Sequence, residues 1–472
     1  MSAVLKAVPP VQSDLALTLA RLRAAQARNV PDFEQRKADL IRLRLAFKGR
    51  LDEMARVIAA DFGQRSRHDT LVADGMTVLH EIDHMLKHLR RWMRPKRVHV
   101  DYRFQPGRAE IRSQPLGVVG VISPWNYPVN LALNPLAAAI AAGNHVMLKP
   151  SEHTPRTSEF LADLLQKVFP ADRVHTVLGG PEVAASFSEL PFDHLFFTGS
   201  TPVGRLVMMA AAKNLTPVTL ELGGKSPALI GADFPLEIAA NRIAAGKLLN
   251  GGQTCIAPDY VLLPKGQTAA LIAGIAAYVK SAYPDLAQSP DYTAIVNERQ
   301  YQRLTELIGD AESKGAAIHR LGTGDPARRL LAPTVITNTR DDMAVMHEEI
   351  FGPVLPIIEY DSMDAALAYI NARPRPLALY VFDRNGARTE RVLNETVAGG
   401  VTVNDTMLHI ALTDLPFGGV GPSGMGAYHG HHGFKTFSTE KSVFYQARWS
   451  GLWLFKPPYK GFADRLVKFL TR

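Results

Sequence analysis

Apolar residues recur every three or four positions through the first hundred residues, a spacing that predicts amphipathic helices. The two clearest stripes are Leu40, Leu43, Phe47, Leu51, Met54 and Ile58, and then Val72, Met76, Leu79, Ile82, Leu86 and Leu89. We expect these helices to be scaffold without catalytic residues. After position 95 the pattern becomes an alternation around Pro-Gly, RVHVDYRFQPGRAEIRSQPLG, which predicts a two-stranded ribbon.

From position 117 onward, short apolar runs alternate with helical patterns. The predicted strands are GVVGVIS, HVMLKPS, HTVLGG and HLFFTGS, and the predicted helices cover 131–142, 155–168 and the segment TPVGRLVMMAAAKN. This alternation predicts a doubly wound parallel sheet, in which ligands bind at the carboxyl ends of the strands. A second α/β unit follows, with strands SPALIGAD, VLPIIEY, LALYVFD and GGVTVND and helices over 236–249, 268–282 and 298–314.

The length and composition indicate a multidomain globular protein. With 472 residues, two or three domains are expected, and 46% hydrophobic and 21% charged residues exclude a disordered chain. No apolar run approaches the roughly 18 residues that span a bilayer, and we expect no secretory signal at the N-terminus. A single cysteine excludes an internal disulfide, so we expect a cytoplasmic protein. The net charge of +8 is interspersed with acids, and we expect no nucleic-acid partner.

Two predicted strand ends carry residues suited to a dinucleotide. HLFFTGSTPVG places Gly199, Ser200 and Gly204 between a strand and a helix start, where backbone N–H groups bind phosphate. The spacing departs from G-x-G-x-x-G, so a plain tight turn is the alternative. Lys149 and Glu152 follow another strand and could bind ribose hydroxyls, and the carboxylate would repel a 2′-phosphate. The alternative for that pair is a surface ion pair.

The only cysteine of the chain lies in NGGQTCIAPDY. Cys255 could attack a carbonyl as a thiolate, and Gly251 and Gly252 allow backbone angles that aim a thiol or an amide at a developing oxyanion. The alternative is an inert buried cysteine.

Two polar residues could complete such a site. Glu221 ends a strand-like stretch, TPVTLELGGKSP, where partial burial would make it a general base; its alternative is a salt bridge to Lys225. Asn126 lies between the prolines of PWNYP and could donate to an oxyanion; its alternative is an Asx turn.

Seven motifs occur between positions 124 and 426 in the order typical of the aldehyde dehydrogenase superfamily: PWNYP, LKPSE, FTGSTPVG, LELGGKSP, GGQTC, EEIFGP and PFGGVGPSGMG. The ordered set resembles that family strongly. GGQTCIAPDYVL, VNDT before His409, and MGAYHGHHGFKTFS resemble the class 3 branch and, within it, the bacterial coniferyl aldehyde dehydrogenases.

The resemblance implies an α/β fold of the aldehyde dehydrogenase type and a division of the chain. The implied parts are a doubly wound nucleotide-binding domain (1–96 and 116–222), an oligomerisation ribbon (97–115 and 436–447), an α/β catalytic domain (223–435) and a C-terminal tail (448–472). It also implies a homodimer.

The resemblance implies NAD-dependent oxidation of a hydrophobic, aromatic, coniferyl-type aldehyde to its acid, with NADP as an alternative cofactor. Cys255 would form a thiohemiacetal and then a thioester, Asn126 would stabilise the oxyanion, and Glu221 would activate the hydrolytic water. The implied cofactor residues are Lys149, Glu152, Gly199, Ser200, Gly204, Glu349 and Phe351, and the implied substrate contacts are Tyr127 and His409.

Other functions remain open at this point. A cofactor-free cysteine hydrolase would share the thiol, the base and the oxyanion donor, and a redox-dead relative or acyl transfer to coenzyme A are further alternatives. His429, His431 and His432 have near-metal spacing without an acidic neighbour, so we expect a polar turn and no metal.

The tail sets Phe462, Leu466 and Phe469 on one helical face beside basic residues. A dimer contact is the expected role, with peripheral attachment to anionic lipid as the second choice.

Overall fold

Helices and mostly parallel strands alternate along the chain in the computed structural model, which describes residues 10–450, 456–459 and 461–471. The helices are α1 (Pro10–Arg28), α2 (Phe33–Lys48), α3 (Leu51–Phe62), α4 (Arg67–Thr70), α5 (Thr77–Trp92), α6 (Asn130–Ala142), α7 (Pro155–Val168), α8 (Pro181–Ser188), α9 (Thr201–Ala212), α10 (Leu236–Leu248), α11 (Thr268–Ala282), α12 (Glu298–Ser313), α13 (Met363–Asn371), α14 (Gly386–Glu395), α15 (Gly430–Thr436) and α16 (Gly461–Leu470). The strands are β1 (Lys96–Val98), β2 (Arg108–Pro115), β3 (Val118–Ile122), β4 (His145–Lys149), β5 (Val174–Thr176), β6 (His194–Thr198), β7 (Val218–Glu221), β8 (Pro227–Ile230), β9 (Tyr260–Pro264), β10 (Ala317–Arg320), β11 (Thr334–Thr337), β12 (Val354–Tyr360), β13 (Ala378–Phe382), β14 (Gly400–Val403), β15 (Gly424–Met425) and β16 (Ser438–Tyr445).

The first large sheet has the strand order β15-β7-β6-β3-β4-β5, and all its strands except β15 run parallel. Different helices cover its two faces. Successive residues of β3 therefore belong to two different hydrophobic clusters. Val119 and Val121 pack with α2, α3, α5, α6 and α7, whereas Val118 and Ile122 pack with α1, α8 and α9. Burial on both faces explains the continuous apolar runs and confirms the prediction of a doubly wound sheet.

The second large sheet has the order β10-β11-β12-β9-β8-β13-β14, with only β10 antiparallel among the described strands. One face packs against α10 and α11, and the other against α12, α13 and α14. The chain passes from the first sheet to the second between Glu221 and Pro227 and returns at β15, where Gly424 pairs with Glu221. The loop that contains Cys255 lies between α10 and β9 of the second sheet.

A third, antiparallel sheet has the order β1-β2-β16. The predicted ribbon around Pro-Gly forms, and β16 adds a third strand from within 436–447, the segment that the family resemblance placed with the ribbon, with Ser438 opposite Pro115 and Tyr445 opposite Arg108. Local alternation cannot reveal a partner more than three hundred residues away.

The first predicted stripe is largely buried in α2 and α3, but the second is partly wrong. Val72 and Met76 are exposed because Leu71–Met76 forms a π-helical turn between α4 and α5. A π turn adds a residue to the repeat and rotates the following helix face relative to a regular 3.6-residue pattern. The stripe that α5 buries is therefore Val78, Ile82, Met85, Leu89 and Trp92.

The predicted tail helix forms as α16, whereas positions 451–455, 460 and 472 of the tail lie outside the described residues. Phe462 and Phe469 are exposed on α16, Leu466 is half-buried, and Ala463 is buried. No helix in the described part of the chain has the length and apolar character needed to cross a bilayer.

Candidate active site

The loop before Cys255 turns through three consecutive left-handed residues. After α10 ends, Asn250, Gly251 and Gly252 have φ angles of 53°, 61° and 77°. A Cβ atom on Gly252 would collide with the carbonyl oxygen of Gly352, so this position requires glycine twice over. The turn reverses the chain into the interior, and Cys255 lies partly buried against the main hydrophobic core.

Gln253 fastens this loop to the segment before α12. Its Nε2 donates to the carbonyl oxygens of Asn250 (2.9 Å) and Ala294 (3.0 Å), and its Oε1 accepts from the backbone N–H of Val296 (2.9 Å). The side chain is buried, so its polar atoms need these protein partners.

Two buried tyrosines hold the residues on either side of Cys255. The hydroxyl of Tyr127 lies 2.7 Å from Oγ1 of Thr254, and the hydroxyl of Tyr380 donates to the carbonyl oxygen of Ile256. Hydrogen bonds to both neighbouring residues limit the movement of the Cys255 backbone. The position of the thiol relative to the Cys255 N–H is therefore restricted.

Asn126 reaches the same loop from the first sheet. Its Nδ2 donates to the carbonyl oxygen of Gln253 at 3.2 Å, two residues before Cys255. Its own carbonyl oxygen accepts from Arg65 Nη1 (2.7 Å) and from Asn250 Nδ2 (3.0 Å). The side chain bonds across to the cysteine loop, which is not the local contact expected of an Asx turn.

Glu221 ends β7 with its side chain in the interior, 1% exposed. Within the described residues neither carboxylate oxygen has a hydrogen-bond partner. The alternative of a salt bridge to Lys225 is wrong, because Lys225 Nζ lies 2.5 Å from Asp259 instead. Burial, and then the neighbouring Glu349 carboxylate, raise the pKa of Glu221 to about 8. A carboxylate with this pKa suits proton transfer near neutral pH.

The Cys255 thiol shares the electrostatic environment of both glutamates. Burial raises the pKa of the Cys255 thiol, and Glu221 and Glu349 raise it further, whereas the N–H groups of Cys255 and Ile256 lower it. The resting group is therefore a neutral thiol. It needs a base to become a nucleophile, and two N–H groups already point toward the sulfur.

Glu349 and Phe351 lie on the loop that precedes β12. The Glu349 carboxylate lies directly over Gly223, where any side chain would collide with it. Burial, and then Asp259, raise the pKa of Glu349 to about 8. Phe351 has φ 53°, an unusual angle for a bulky residue, and its ring meets Trp125 edge-on with centroids 5.3 Å apart.

Three charged side chains clamp this loop. Lys225 Nζ donates to the carbonyl oxygens of Val345 (2.8 Å) and Glu348 (2.9 Å). Arg303 donates to the carbonyl oxygens of Glu349 (3.3 Å) and Ile350 (2.5 Å). Asp259 accepts from the N–H of Ile350 at 3.0 Å. The strained angle at Phe351 is thus maintained by bonds to its neighbours.

The strand ends of the first sheet fit a dinucleotide. Lys149 is buried with its Nζ 2.9 Å from the Pro150 carbonyl oxygen and 3.3 Å from Glu152, whose side chain is one-third exposed. Ser200 precedes α9 and makes no side-chain cap, so the first N–H groups of α9 can bind phosphate. A Cβ atom on Gly204 would meet the Leu222 side chain, so glycine brings α9 close to that segment.

His409, His429 and His431 contact aromatic rings. His409 Nδ1 lies 2.8 Å from Thr402 Oγ1, its ring stacks on Phe417, and burial lowers its pKa to about 4. Tyr380 links it to the cysteine loop, with ring centroids 6.3 Å apart. Over the part of the chain that is described, no group of three His, Cys, Asp or Glu side chains could hold a metal ion.

Sequence reasoning missed several residues that organise the site. Tyr380, Gln253 and Asp259 lay inside the quoted motifs or predicted strands without a stated role, and Arg65 and Asp74 lay among helices assigned to scaffold. The local pattern gave no signal for the last pair, because the regular apolar spacing of Val72, Met76 and Leu79 runs past Asp74.

A doubly wound parallel sheet, combined with a cysteine loop and a buried carboxylate, is typical of a nicotinamide-dependent dehydrogenase. Residues 5–443 match the model of the Aldehyde dehydrogenase family, so the chain belongs to that family. It is an NAD(P)-dependent aldehyde dehydrogenase.

Relatives and solved structures cover nearly the whole chain. A "Probable coniferyl aldehyde dehydrogenase" of Pseudomonas aeruginosa is 52% identical over 96% of this chain and 96% of its own. The mouse "Aldehyde dehydrogenase, dimeric NADP-preferring" is 46% identical over 77% of this chain and 80% of its own.

Among solved structures, a substrate-bound Staphylococcus aureus AldH has a TM-score of 0.92 and 38% identity, with 97% of this chain and 99% of that chain covered. A Bacillus cereus aldehyde dehydrogenase solved as an NAD+ complex has a TM-score of 0.84 and 28% identity, with 93% and 89% covered.

Proposed function

We propose that this enzyme oxidises a hydrophobic, aromatic aldehyde of the coniferyl type to its carboxylic acid through a thioester on Cys255. The observation that carries the proposal is the buried Glu221 carboxylate, which has no hydrogen-bond partner among the described residues and interacts with the Cys255 thiol. A base with a pKa of about 8 beside a neutral thiol is the pair that covalent catalysis requires.

The first step forms a bond between Cys255 Sγ and the aldehyde carbon. Glu221 takes the thiol proton, and the carbonyl oxygen becomes an oxyanion that accepts from Asn126 Nδ2 and the Cys255 N–H. Bound NAD would supply the acceptor for the hydride of the thiohemiacetal carbon. Cys255 would then hold the acyl group as a thioester, as the oxyanion becomes a carbonyl again. Glu221 releases the thiol proton to solvent and then accepts a proton from water as the water oxygen bonds to the acyl carbon. The carbon–sulfur bond breaks, the acid leaves, and the Cys255 sulfur takes a proton back from Glu221.

The residues proposed to hold the cofactor come from both large sheets. Lys149 and Glu152 would bind the adenosine ribose, and the N-terminus of α9 would bind the diphosphate. The loop held by Lys225 and Arg303 would bind the nicotinamide half. The full set is Lys149, Glu152, Gly199, Ser200, Gly204, Glu349 and Phe351. Glu152 favours NAD over NADP because its charge would repel a 2′-phosphate, although one relative prefers NADP.

The aromatic character of the substrate is proposed from the resemblance of the class 3 motifs to those of the bacterial coniferyl aldehyde dehydrogenases. The name of the Pseudomonas aeruginosa relative agrees with this choice. Tyr127 and His409 remain candidate substrate contacts.

The test is a steady-state panel of coniferyl aldehyde, benzaldehyde and straight-chain aldehydes, each with NAD and with NADP, followed by absorbance of reduced nicotinamide. We expect the highest kcat/KM for coniferyl aldehyde with NAD and loss of oxidation in Cys255→Ala. A higher kcat/KM for straight-chain aldehydes contradicts the substrate assignment. Ester cleavage without nucleotide binding, in the absence of any aldehyde oxidation, would support a cysteine hydrolase instead.

We also propose the division of the chain into a nucleotide-binding domain (1–96 and 116–222), a ribbon (97–115 and 436–447), a catalytic domain (223–435) and a tail (448–472), in a cytoplasmic homodimer. The exposed apolar side chains of α9, Val203, Leu206 and Met209, support a protein contact there. A single cysteine supports a reducing compartment. Membrane attachment through α16 is the weaker alternative for the tail.

A further inference from the structure

A buried ion pair lies beneath the loop that contains Asn126. Arg65 follows α3, and Asp74 lies in the π-helical turn Leu71–Met76. Arg65 Nη2 is 2.9 Å from Asp74 Oδ2, and neither side chain is exposed at all. π turns within helices occur frequently at functional sites, where they redirect a side chain. Here the turn directs an acidic residue inward from a segment whose apolar residues Val72 and Met76 face solvent.

Asp74 holds the residues that follow the Asn126 loop. Its Oδ1 accepts from the backbone N–H groups of Val129 (3.1 Å) and Asn130 (3.0 Å). Val129 precedes α6 and has no side-chain oxygen that could cap the helix. The carboxylate of Asp74, which lies in the π-helical turn, caps α6 instead. A negative charge at this end also stabilises the α6 dipole.

Arg65 holds Asn126 itself. Its Nη1 donates to the Asn126 carbonyl oxygen at 2.7 Å, and its guanidinium lies over the rings of Phe62 (4.8 Å) and Tyr127 (5.1 Å). The Asn126 carbonyl oxygen therefore accepts two hydrogen bonds, from Arg65 and from Asn250 Nδ2 at 3.0 Å. With this peptide group held, the Asn126 side chain donates to the cysteine loop.

An ion pair of this kind is a poor device for stability alone. Removing two charges from water costs free energy, and apolar pairs of similar volume often stabilise a core as well or better. The contacts of both members converge on residues 126–130, which indicates a role in orienting that segment.

We propose that Arg65 and Asp74 are positioning residues, which hold Asn126 so that its side-chain amide can stabilise the oxyanion at Cys255. This inference rests on the proposed role of Asn126 in the reaction. Neither residue touches the substrate; each acts through the backbone of the Asn126 loop.

The first test replaces the whole pair by Arg65→Met with Asp74→Leu, which removes both charges and leaves none unpaired. We expect a folded enzyme whose KM for NAD is unchanged and whose kcat falls about tenfold to a hundredfold, within the range for loss of an oxyanion donor. The matched control is Arg67→Gln with Asp52→Asn, an exposed pair on α4 and α3. That control should retain full kcat. An unchanged kcat in the buried-pair variant overturns the proposal.

Asp74→Asn is the second variant, because it keeps an oxygen for the Val129 and Asn130 N–H groups and removes only the charge that orients Arg65. We expect a threefold to tenfold loss of kcat, about 0.7 to 1.4 kcal/mol of transition-state stabilisation at 25 °C. The same kcat as the wild type, measured on folded Asp74→Asn protein, also overturns the proposal.

A mutant cycle separates positioning from general support of the fold. If Arg65 and Asp74 act through Asn126, adding Asn126→Ala to the buried-pair variant lowers kcat no further than Asn126→Ala alone. Multiplied losses would contradict the inference. Full turnover by Asn126→Ala itself would refute the role of Asn126, whereas loss in Asn126→Ala with full turnover in the buried-pair variant would refute only the positioning role.

Discussion

At the scale of single residues, the pKa of Glu221 should determine how the rate depends on pH. Burial and Glu349 raise that pKa to about 8, so the carboxyl group is protonated below this pH and cannot accept a proton. We expect kcat/KM for the aldehyde at saturating NAD to rise about tenfold per unit below pH 8 and to level off above it.

Glu221→Gln provides the control for this profile. The variant should lose about a hundredfold to ten-thousandfold in kcat/KM, and the inflection near pH 8 should disappear because its titrating group is gone. An inflection that survives in Glu221→Gln assigns the titration to another group.

The left-handed turn before Cys255 makes a prediction about stability. Gly252→Ala adds a Cβ atom at φ 77°, in contact with the Gly352 carbonyl oxygen. We expect the free energy of unfolding to fall by about 2 kcal/mol or more, measured as a lower midpoint in thermal and urea denaturation. Gly309→Ala in α12, where a Cβ atom meets nothing within 4 Å, should be neutral or stabilising. Equal midpoints for Gly252→Ala and the wild type would contradict the strain assigned to this turn.

At the scale of elements, α12 should influence cofactor binding from a distance. Arg303 donates from α12 to the carbonyl oxygens of Glu349 and Ile350, so Arg303→Met frees the loop proposed to hold the nicotinamide half. We expect KM for NAD to rise about tenfold, with a smaller change in kcat, because two hydrogen bonds from a charged group are lost. Arg299→Met, an exposed position on the same helix, should leave KM for NAD unchanged. Equal KM values in the two variants would mean that the clamp does not affect the cofactor.

Elements with a strong period could be predicted from their local pattern, and elements defined by distant partners could not; for the ribbon, only the family resemblance suggested the second segment. The helices over 155–168 and 268–282 form with the predicted bounds. The first begins at a proline and the second at a threonine, and each has a continuous apolar face, so local residues mark both helices. β16 joins β2 across the length of the chain, and the π turn at Leu71–Met76 shifts a helical repeat with only Gly75 as a local sign of it. Both depend on tertiary packing.

At the scale of the whole molecule, the apolar face of α9 should decide the oligomeric state. Leu206 and Met209 are about two-thirds exposed, at 65% and 67%. We expect light scattering to give twice the monomer mass for the wild type and the monomer mass for Leu206→Glu with Met209→Glu, since facing charges would be buried without partners. Leu17→Glu on α1, at an equally exposed leucine, should leave the dimer intact. A dimer that survives both α9 charges places the interface elsewhere.

The candidate catalytic residues could be proposed from the sequence, but the residues that orient them could not. Cys255, Glu221 and Asn126 lie in short motifs whose residue types indicate a nucleophile, a base and an oxyanion donor. The residues that orient them are spread from Arg65 to Tyr380, and their contacts exist only once two sheets and the N-terminal helices meet. Short motifs show which residue types are present, whereas the positions of their side chains depend on contacts between segments that are distant in sequence.

The central claim is that Cys255 holds the acyl group between two half-reactions, and intact-protein mass spectrometry tests it most directly. Wild-type enzyme and Glu221→Gln are each mixed with coniferyl aldehyde and NAD, quenched in acid at intervals through the first turnover, and digested to locate any adduct. We predict one acyl group per chain on Cys255, formed together with one equivalent of reduced nicotinamide, and no adduct when Cys255→Ala is added. Reduced nicotinamide and free acid without any adduct on Cys255 would contradict the account.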